Sequence, residues 1–404
     1  MTAIKGSELL RSRRAERGAP VANIELFFDL VFVFAVTQLS HALLKDPSVL
    51  GAIRVLLLFL AVWWVWVFTC WVTNWLDPER GPVRLLLLAM MLAGLIMSTS
   101  IPEAFEAKGL PFAFAYVLMQ VGRSVFVIWA LGDASPTNTR NFQRIASWLG
   151  FAGLFWIAGA FSEGAHRLEL WTIGLALEYV SPSLGFYVPG LGRSTARDWD
   201  IEGGHLAERC SLFIIIALGE SLLVTGAAFA EIAWSLPSVC AFVVAFVGSV
   251  AAWWIYFDTG AETGHDAIAG APDPGRLGRL VYTYIHLLIV AGIIVSAVGD
   301  ELILAHPQGA AGTEALAILL GAPALYLIGN IFFKWAVRGR PPLSHLAGVS
   351  ALGLLLPFAP RLALLPLGAA TAAILVSVAA WERISLGGRR GPAQAAGDDI
   401  RIEN

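Results

Sequence analysis

Apolar stretches long enough to cross a bilayer recur along this chain, and nothing else in the sequence constrains the fold as much. A spanning helix needs roughly 20 predominantly apolar residues. Such stretches fall near 25–44, 51–74, 83–101, 112–131, 143–161 and 168–187. They return near 205–229, 238–258, 277–300, 314–336, 343–359 and 361–384. Only Pro360 separates the last two, which predicts a tight hairpin there. Composition agrees: 57% of the 404 residues are hydrophobic and 14% are charged, whereas about a quarter of a soluble domain is charged. Mean hydropathy is +0.71. Fifteen tryptophans fit aromatic belts at two membrane interfaces. The expected fold is all-α, a polytopic membrane protein of about twelve transmembrane helices whose first partner is the lipid bilayer.

The loops alternate in charge. Arg80 and Arg84, Arg140 and Arg144, Arg193 and Arg197, Arg276 and Arg279, then Lys334, Arg338 and Arg340 fall at every second connection. The other connections hold only Lys45, Arg54, Lys108, Arg167 and Arg361. Lys and Arg accumulate on the cytoplasmic side. Both termini are therefore expected in the cytoplasm, in a multi-pass protein of the inner (plasma) membrane. Residues 1–24, with Lys5, Arg11, Arg13, Arg14 and Arg17, read as a basic cytoplasmic segment held at the headgroups. The run leads directly into a span, which argues against nucleic acid as a partner, and no signal peptide is recognisable.

The two sets of six helices carry matching landmarks. Glu25 answers Glu208, Trp63-Trp64 answers Trp253-Trp254, Arg84 answers Arg279, and Glu106 answers Glu301. Gly122 answers Gly329, and Gly174 answers Gly368. Order is kept and offsets drift by loop lengths. The expected organisation is two parallel six-helix repeats, 25–189 and 205–386, joined by a cytoplasmic linker at 190–204 and followed by a flexible tail at 387–404. Parallel repeats are related by an axis along the membrane normal, and sites tend to lie at their interface.

Candidate residues follow from cost. Charges inside apolar helices are expensive and usually face protein or a water-filled cavity. Glu25 and Asp29 lie one turn apart on one helix face, followed by Thr37, Gln38 and His41. Aligning Glu25 with Glu208 sets Thr37-Gln38 opposite Glu220-Ser221. Near the start of a helix, Glu25 and Glu208 could simply complement the macrodipole. Glu220 is twelve residues into its helix, roughly 18 Å from Glu208 at 1.5 Å per residue. Arg123 sits at comparable depth in the fourth helix, so the structural alternative to a proton or cation site is a Glu220–Arg123 lock. The three cysteines, Cys70, Cys210 and Cys240, lie in apolar segments and read as buried free thiols. No spacing suggests a metal site, a bound cofactor, a phosphate loop or a nucleophile elbow, and no catalytic set is readable.

Glu25-Leu-Phe-Phe-Asp29-Leu-Val-Phe-Val-Phe-Ala-Val-Thr37-Gln38-Leu-Ser-His41, with Glu208-Arg209-x-x-Leu-Phe-Ile-Ile-Ile-x-Leu-Gly219-Glu220-Ser221, resembles the bacterial low temperature requirement protein A family over residues 15 to 385. That resemblance implies the polytopic architecture and a link to growth in the cold. A narrower likeness is to bacterial and lysosomal potassium channels whose first helix carries a Phe-Ser-Asp motif. Here Phe28 stands in place of the serine, and Cys210-Ser211-Leu212 stands where the motif should recur. The functional expectation is a transporter or channel for a small solute or ion, with the first and seventh helices lining the path. Its alternatives are a membrane-embedded enzyme acting on lipid, with His41 or an acid as base, or a structural or regulatory membrane protein. Homo-oligomerisation is left open.

Overall fold

The computed structural model describes residues 9–11, 21–194, 203–258 and 277–387. Most of the basic N-terminal segment, Arg197 of the linker, Arg276 and the tail beyond 387 lie outside the described residues. Among the described residues the fold is all-helical, with twelve main helices. They are α1 (Asn23–Lys45), α2 (Val49–Trp75), α3 (Gly81–Ser100), α4 (Gly109–Leu131), α5 (Pro136–Ala160) and α6 (Gly164–Val180). Then come α7 (Gly203–Glu231), α8 (Leu236–Phe257), α9 (Arg279–Ala305), α10 (Thr313–Arg338), α11 (Leu343–Leu355) and α12 (Leu364–Gly387). Nine of them, all but α5, α6 and α11, are long and apolar enough to cross a membrane.

Several boundaries differ from the sequence reading, each for a local reason. Helix α5 begins at Pro136 rather than near 143, because a proline at the first position costs no helical hydrogen bond and its opening turns are polar. Helix α6 ends at Val180 rather than near 187. Pro182 cannot donate to a continuing ladder, and the chain turns at Gly185, whose φ is +62°. The connection between α11 and α12 is longer than a single proline. Pro357 stops α11 at Leu355, and a 3₁₀ turn, Ala359–Arg361, precedes α12. Cys70 and Cys210 are buried, but Cys240 is exposed: an apolar residue of a membrane helix faces outward as readily as inward.

The chain divides into two compact units, one of residues 1–220 and 268–287, the other of 221–267 and 288–404. In the first, α2 is the central helix, and 89% of its most apolar window is buried. There α1 packs on α2 and α3, α3 on α4, α4 on α5, α5 on α6, and α2 on both α4 and α6. In the second, α8 packs on α10 and α12, α10 on α11 and α12, and α11 on α12.

Three local arrangements brace the helix ends of the first unit. Residues 9–11 run antiparallel to the end of α2: Leu10 bridges to Leu76, Arg11 N–H donates to Trp75 O and Asp77 N–H to Leu9 O, both at 2.9 Å. The start of α9, Arg279–Ile285, is a π-helical turn. Carbonyls there meet side chains: Trp63 Nε1 of α2 reaches Thr283 O at 2.7 Å, and His286 Nδ1 of the same helix lies 2.9 Å from Val281 O. His286 is thus a packed, hydrogen-bonded residue. Arg167, 5% exposed, binds five carbonyls. Gly159, Ala160 and Ser162 close the end of α5, and Ala104 and Glu106 belong to the turn after α3, all at 2.8–3.3 Å. The guanidinium thereby supplies donors to helix-terminal carbonyls that have no partner within the helix.

Candidate functional site

Helix α1 carries Glu25 and Asp29 four residues apart, and α7 carries His205 and Arg209 at the same spacing. Residues i and i+4 lie on one face, so each helix presents a polar pair to the other. All four side chains are 0–1% exposed. Arg209 grips Asp29 with two donors: Nη2 to Oδ1 at 2.5 Å and Nε to Oδ2 at 3.1 Å. Its Nη1 reaches Glu25 Oε1 at 2.9 Å and Thr73 Oγ1 at 3.3 Å. Trp66 Nε1 of α2 adds a bond to Asp29 Oδ1 at 2.7 Å. A planar fork against a carboxylate is the arrangement in which guanidinium outperforms ammonium.

Glu25 collects further donors. Arg11 Nη2 lies 2.9 Å from Oε2, Ala22 N–H donates to the same oxygen at 3.0 Å, and His205 Nε2 stands 3.1 Å from Oε1. The Ala22 bond is the helix-start role that the sequence allows for Glu25, so this one carboxylate both caps α1 and joins the ion cluster. Two carboxylates face two guanidiniums, and with a neutral imidazole the cluster carries no net charge. His205 Nδ1 is buried with no partner among the described residues. With Nε2–H given to Glu25, it is left as a lone pair, or as a second N–H if the ring takes up a proton.

A second buried set lies against an adjoining face of α2. Tyr116, Gln120 and Arg123 fall on one face of α4. Tyr116 Oη and Gln120 Nε2 donate to Glu178 Oε2 of α6 at 2.5 and 2.9 Å, and Trp156 Nε1 of α5 donates to Oε1 at 3.0 Å. Arg123 reaches Gln120 Oε1 at 2.5 Å, and Val65 O and Thr69 Oγ1 of α2 each at 3.0 Å. One amide therefore separates the Glu178 and Arg123 charges. Helix α2 serves both sets, with Trp66 and Thr73 turned to the first and Val65 and Thr69 to the second.

Further along α1, Thr37 Oγ1 lies 3.1 Å from Glu220 Oε1 of α7 and 3.3 Å from Val33 O, two acceptors that share its one hydroxyl proton. Thr37 is 8% exposed and Glu220 is half-buried. No ion pair joins Glu220 to Arg123 among the described residues; Arg123 spends its donors on Gln120, Thr69 and Val65. The lock that stood as the structural alternative for Glu220 is therefore absent.

The nine sequence candidates thus separate. Glu25 and Asp29 meet around Arg209, and Thr37 meets Glu220. Arg123 joins the Glu178 set. Gln38 is half-buried, Ser221 is buried, and His41 and Glu208 are exposed. Sequence reasoning passed over Arg209, His205, Arg11, Glu178, Tyr116 and Gln120. Arg209 carried a readable signal: a cation in an apolar helix, one turn from a histidine, in a chain with two buried acids to neutralise. No group of three or more His, Cys, Asp or Glu that could hold a metal occurs among the described residues.

Comparison with known proteins supplies a family. The model for the bacterial low temperature requirement A protein (LtrA) matches residues 20–380. The uncharacterized protein RA0937 of Rhizobium meliloti (strain 1021) is 42% identical over 365 residues, covering 90% of this chain and 88% of that protein. No solved structure matches.

Proposed function

The chain belongs to the bacterial low temperature requirement A family, and from that premise we propose that it is a transporter or channel moving a small solute or ion along α1 and α7. The observation that carries this reading is Glu220. It is a half-buried carboxylate far into an apolar helix, held by the Thr37 hydroxyl rather than by a cation. An acid at such depth is costly unless it meets water, a proton or a passing cation. The Glu25–Asp29–Arg209 cluster reads differently. Its charges are balanced and each of its carboxylates is held by several donors, so it serves as a fixed junction between the two helices, with Glu220 and Thr37 as the exchangeable step roughly 12 Å along α1 from Asp29.

Other features support the architecture behind this reading. Helix pairs α2–α4, α2–α6, α4–α5 and α5–α6 pack together, and so do their repeat counterparts α8–α10, α8–α12, α10–α11 and α11–α12. That is the pattern expected of two parallel six-helix repeats, for which α1 and α7 are equivalent. The alternating basic loops favour cytoplasmic termini in the inner membrane. The family's name gives growth at low temperature as the physiological setting in which to look for the activity.

The test uses proteoliposomes loaded with a pH-sensitive dye and given K⁺ or Na⁺ gradients. The wild-type protein should dissipate one of these gradients, and Glu220→Gln should lower the flux or flatten its pH dependence while the melting temperature stays within about 2 °C, roughly 1 kcal/mol or less. Equal flux from the two proteins at equal incorporation removes Glu220 from the path. Absence of flux in the wild type removes the ion-transport reading.

A further inference from the structure

The second unit holds a cavity of about 200 Å³ where the ends of α10 and α12 meet the start of α11. Its lining includes Arg338, Arg340, Ser344, Trp381, Glu382 and Ser385. We propose that it is a binding site for the phosphate of an anionic phospholipid headgroup.

The lining carries a net positive charge. Glu382 is the single acid in it, and its oxygens are already engaged: Lys334 Nζ lies 2.5 Å from Oε2 and Arg338 Nη1 lies 3.2 Å from Oε1. Two guanidiniums against one carboxylate leave the lining with one positive charge in excess, and Arg340 is the cation outside the Glu382 pairing. His345 Nε2 stands 3.3 Å from Lys334 Nζ, and its Nδ1 stands 3.1 Å from Ser344 Oγ. Arg340 offers a forked guanidinium and Ser344 a hydroxyl beside it, while Ser385 Oγ donates to Glu382 O at 2.9 Å; a planar fork of N–H donors suits a tetrahedral oxyanion.

Shape and setting select the source of that phosphate. Pro341 and Pro342 form one wall, and proline fixes the backbone in place. Gly339 lets the chain leave α10 at φ +71° and brings Arg340 round to the cavity. At a water's share of about 30 Å³, the space holds several waters, enough for a phosphodiester. Around it, Leu343 is 71% exposed, Ile384 75% and Trp381 49%. Apolar side chains and a tryptophan beside a basic cavity, at the ends of spanning helices, match a headgroup site with acyl chains alongside. Free phosphate would use the cations but not this apolar surround.

The experiment uses the full chain, purified in detergent and delipidated, with three probes: short-chain phosphatidylglycerol, short-chain phosphatidylcholine and inorganic phosphate. Phosphatidylglycerol should raise the melting temperature in a concentration-dependent way, and native mass spectrometry should retain one copy. Phosphatidylcholine and inorganic phosphate should do neither. Arg340 is exposed and in no ion pair among the described residues, so Arg340→Gln should melt like the wild type without lipid. It should bind phosphatidylglycerol roughly tenfold or more weakly, as expected for loss of a charge-assisted hydrogen bond. Equal response to the two lipids, or undiminished binding by Arg340→Gln, overturns the site. An equal response to inorganic phosphate overturns the lipid as its occupant.

Discussion

Arg209→Leu tests whether one guanidinium holds α1 and α7 together. The substitution removes both donors that grip Asp29 and the one that reaches Glu25. Asp29 keeps only the Trp66 indole N–H, at 2.7 Å. Glu25 is better protected, since Arg11, His205 and Ala22 N–H still serve it. The damage therefore concentrates on Asp29, a carboxylate with 0% exposure. Removing one partner of a buried ion pair costs about 3–5 kcal/mol, because the other charge is left uncompensated. At roughly 2–4 °C per kcal/mol for a unit of some 200 residues, the melting temperature should fall by roughly 6–20 °C. Thermal unfolding in detergent, followed by tryptophan fluorescence, reads this directly, since Trp66 is itself in the cluster. The double variant Asp29→Leu, Arg209→Leu leaves no orphaned charge and should recover most of the loss. Arg209→Lys should fall between, as an ammonium cannot grip the carboxylate bidentately. A fall below about 2 °C for Arg209→Leu, or a double variant no better than the single one, would refute the reasoning.

Three further substitutions probe packing and helix ends. A Cβ on Gly329 of α10 would stand 2.8 Å from Ile289 Cγ1 and 2.9 Å from Ile289 N, so Gly329→Ala should cost about 1–3 kcal/mol by overpacking. Gly321→Ala in the same helix meets nothing within 4 Å and should be neutral or gain up to about 1 kcal/mol from helix propensity; the paired melting curves check both signs. Arg167→Gln should cost about 2 kcal/mol or more, since each hydrogen bond from a charged donor contributes roughly 1.5–3 kcal/mol. Its mark should be faster amide exchange at the end of α5 and in the turn after α3.

The helices were legible because bilayer-spanning length and apolarity are local properties that a single chain displays. The site was legible only in part. Glu25 and Asp29 stood out as acids in an apolar helix, and their shared face follows from spacing alone. Their partner did not, because Arg209 lies 180 residues beyond Asp29 and nothing local links the two. Alignment with Glu25 instead picked out Glu208. One residue of helix is about 100° of rotation, so Glu208 faces outward while Arg209 faces in. Depth alone suggested pairing Arg123 with Glu220, but depth carries no azimuth: Arg123 points at α2 and at Gln120, its neighbour one turn back. Glu178 is not legible because the apolar stretch runs past it toward 187 in sequence, so a carboxylate near its end reads as interfacial rather than buried.

Arg167 has a consequence for motion. Its five carbonyls come from two separate turns, the one closing α5 and the one following α3. Parting those turns means breaking several charge-assisted bonds at once. Within the first unit, the two turns therefore travel as one rigid body. A conformational cycle that opens and closes a path along α1 must take its hinge elsewhere, and a spin-label pair bridging the two turns should keep its distance through every step.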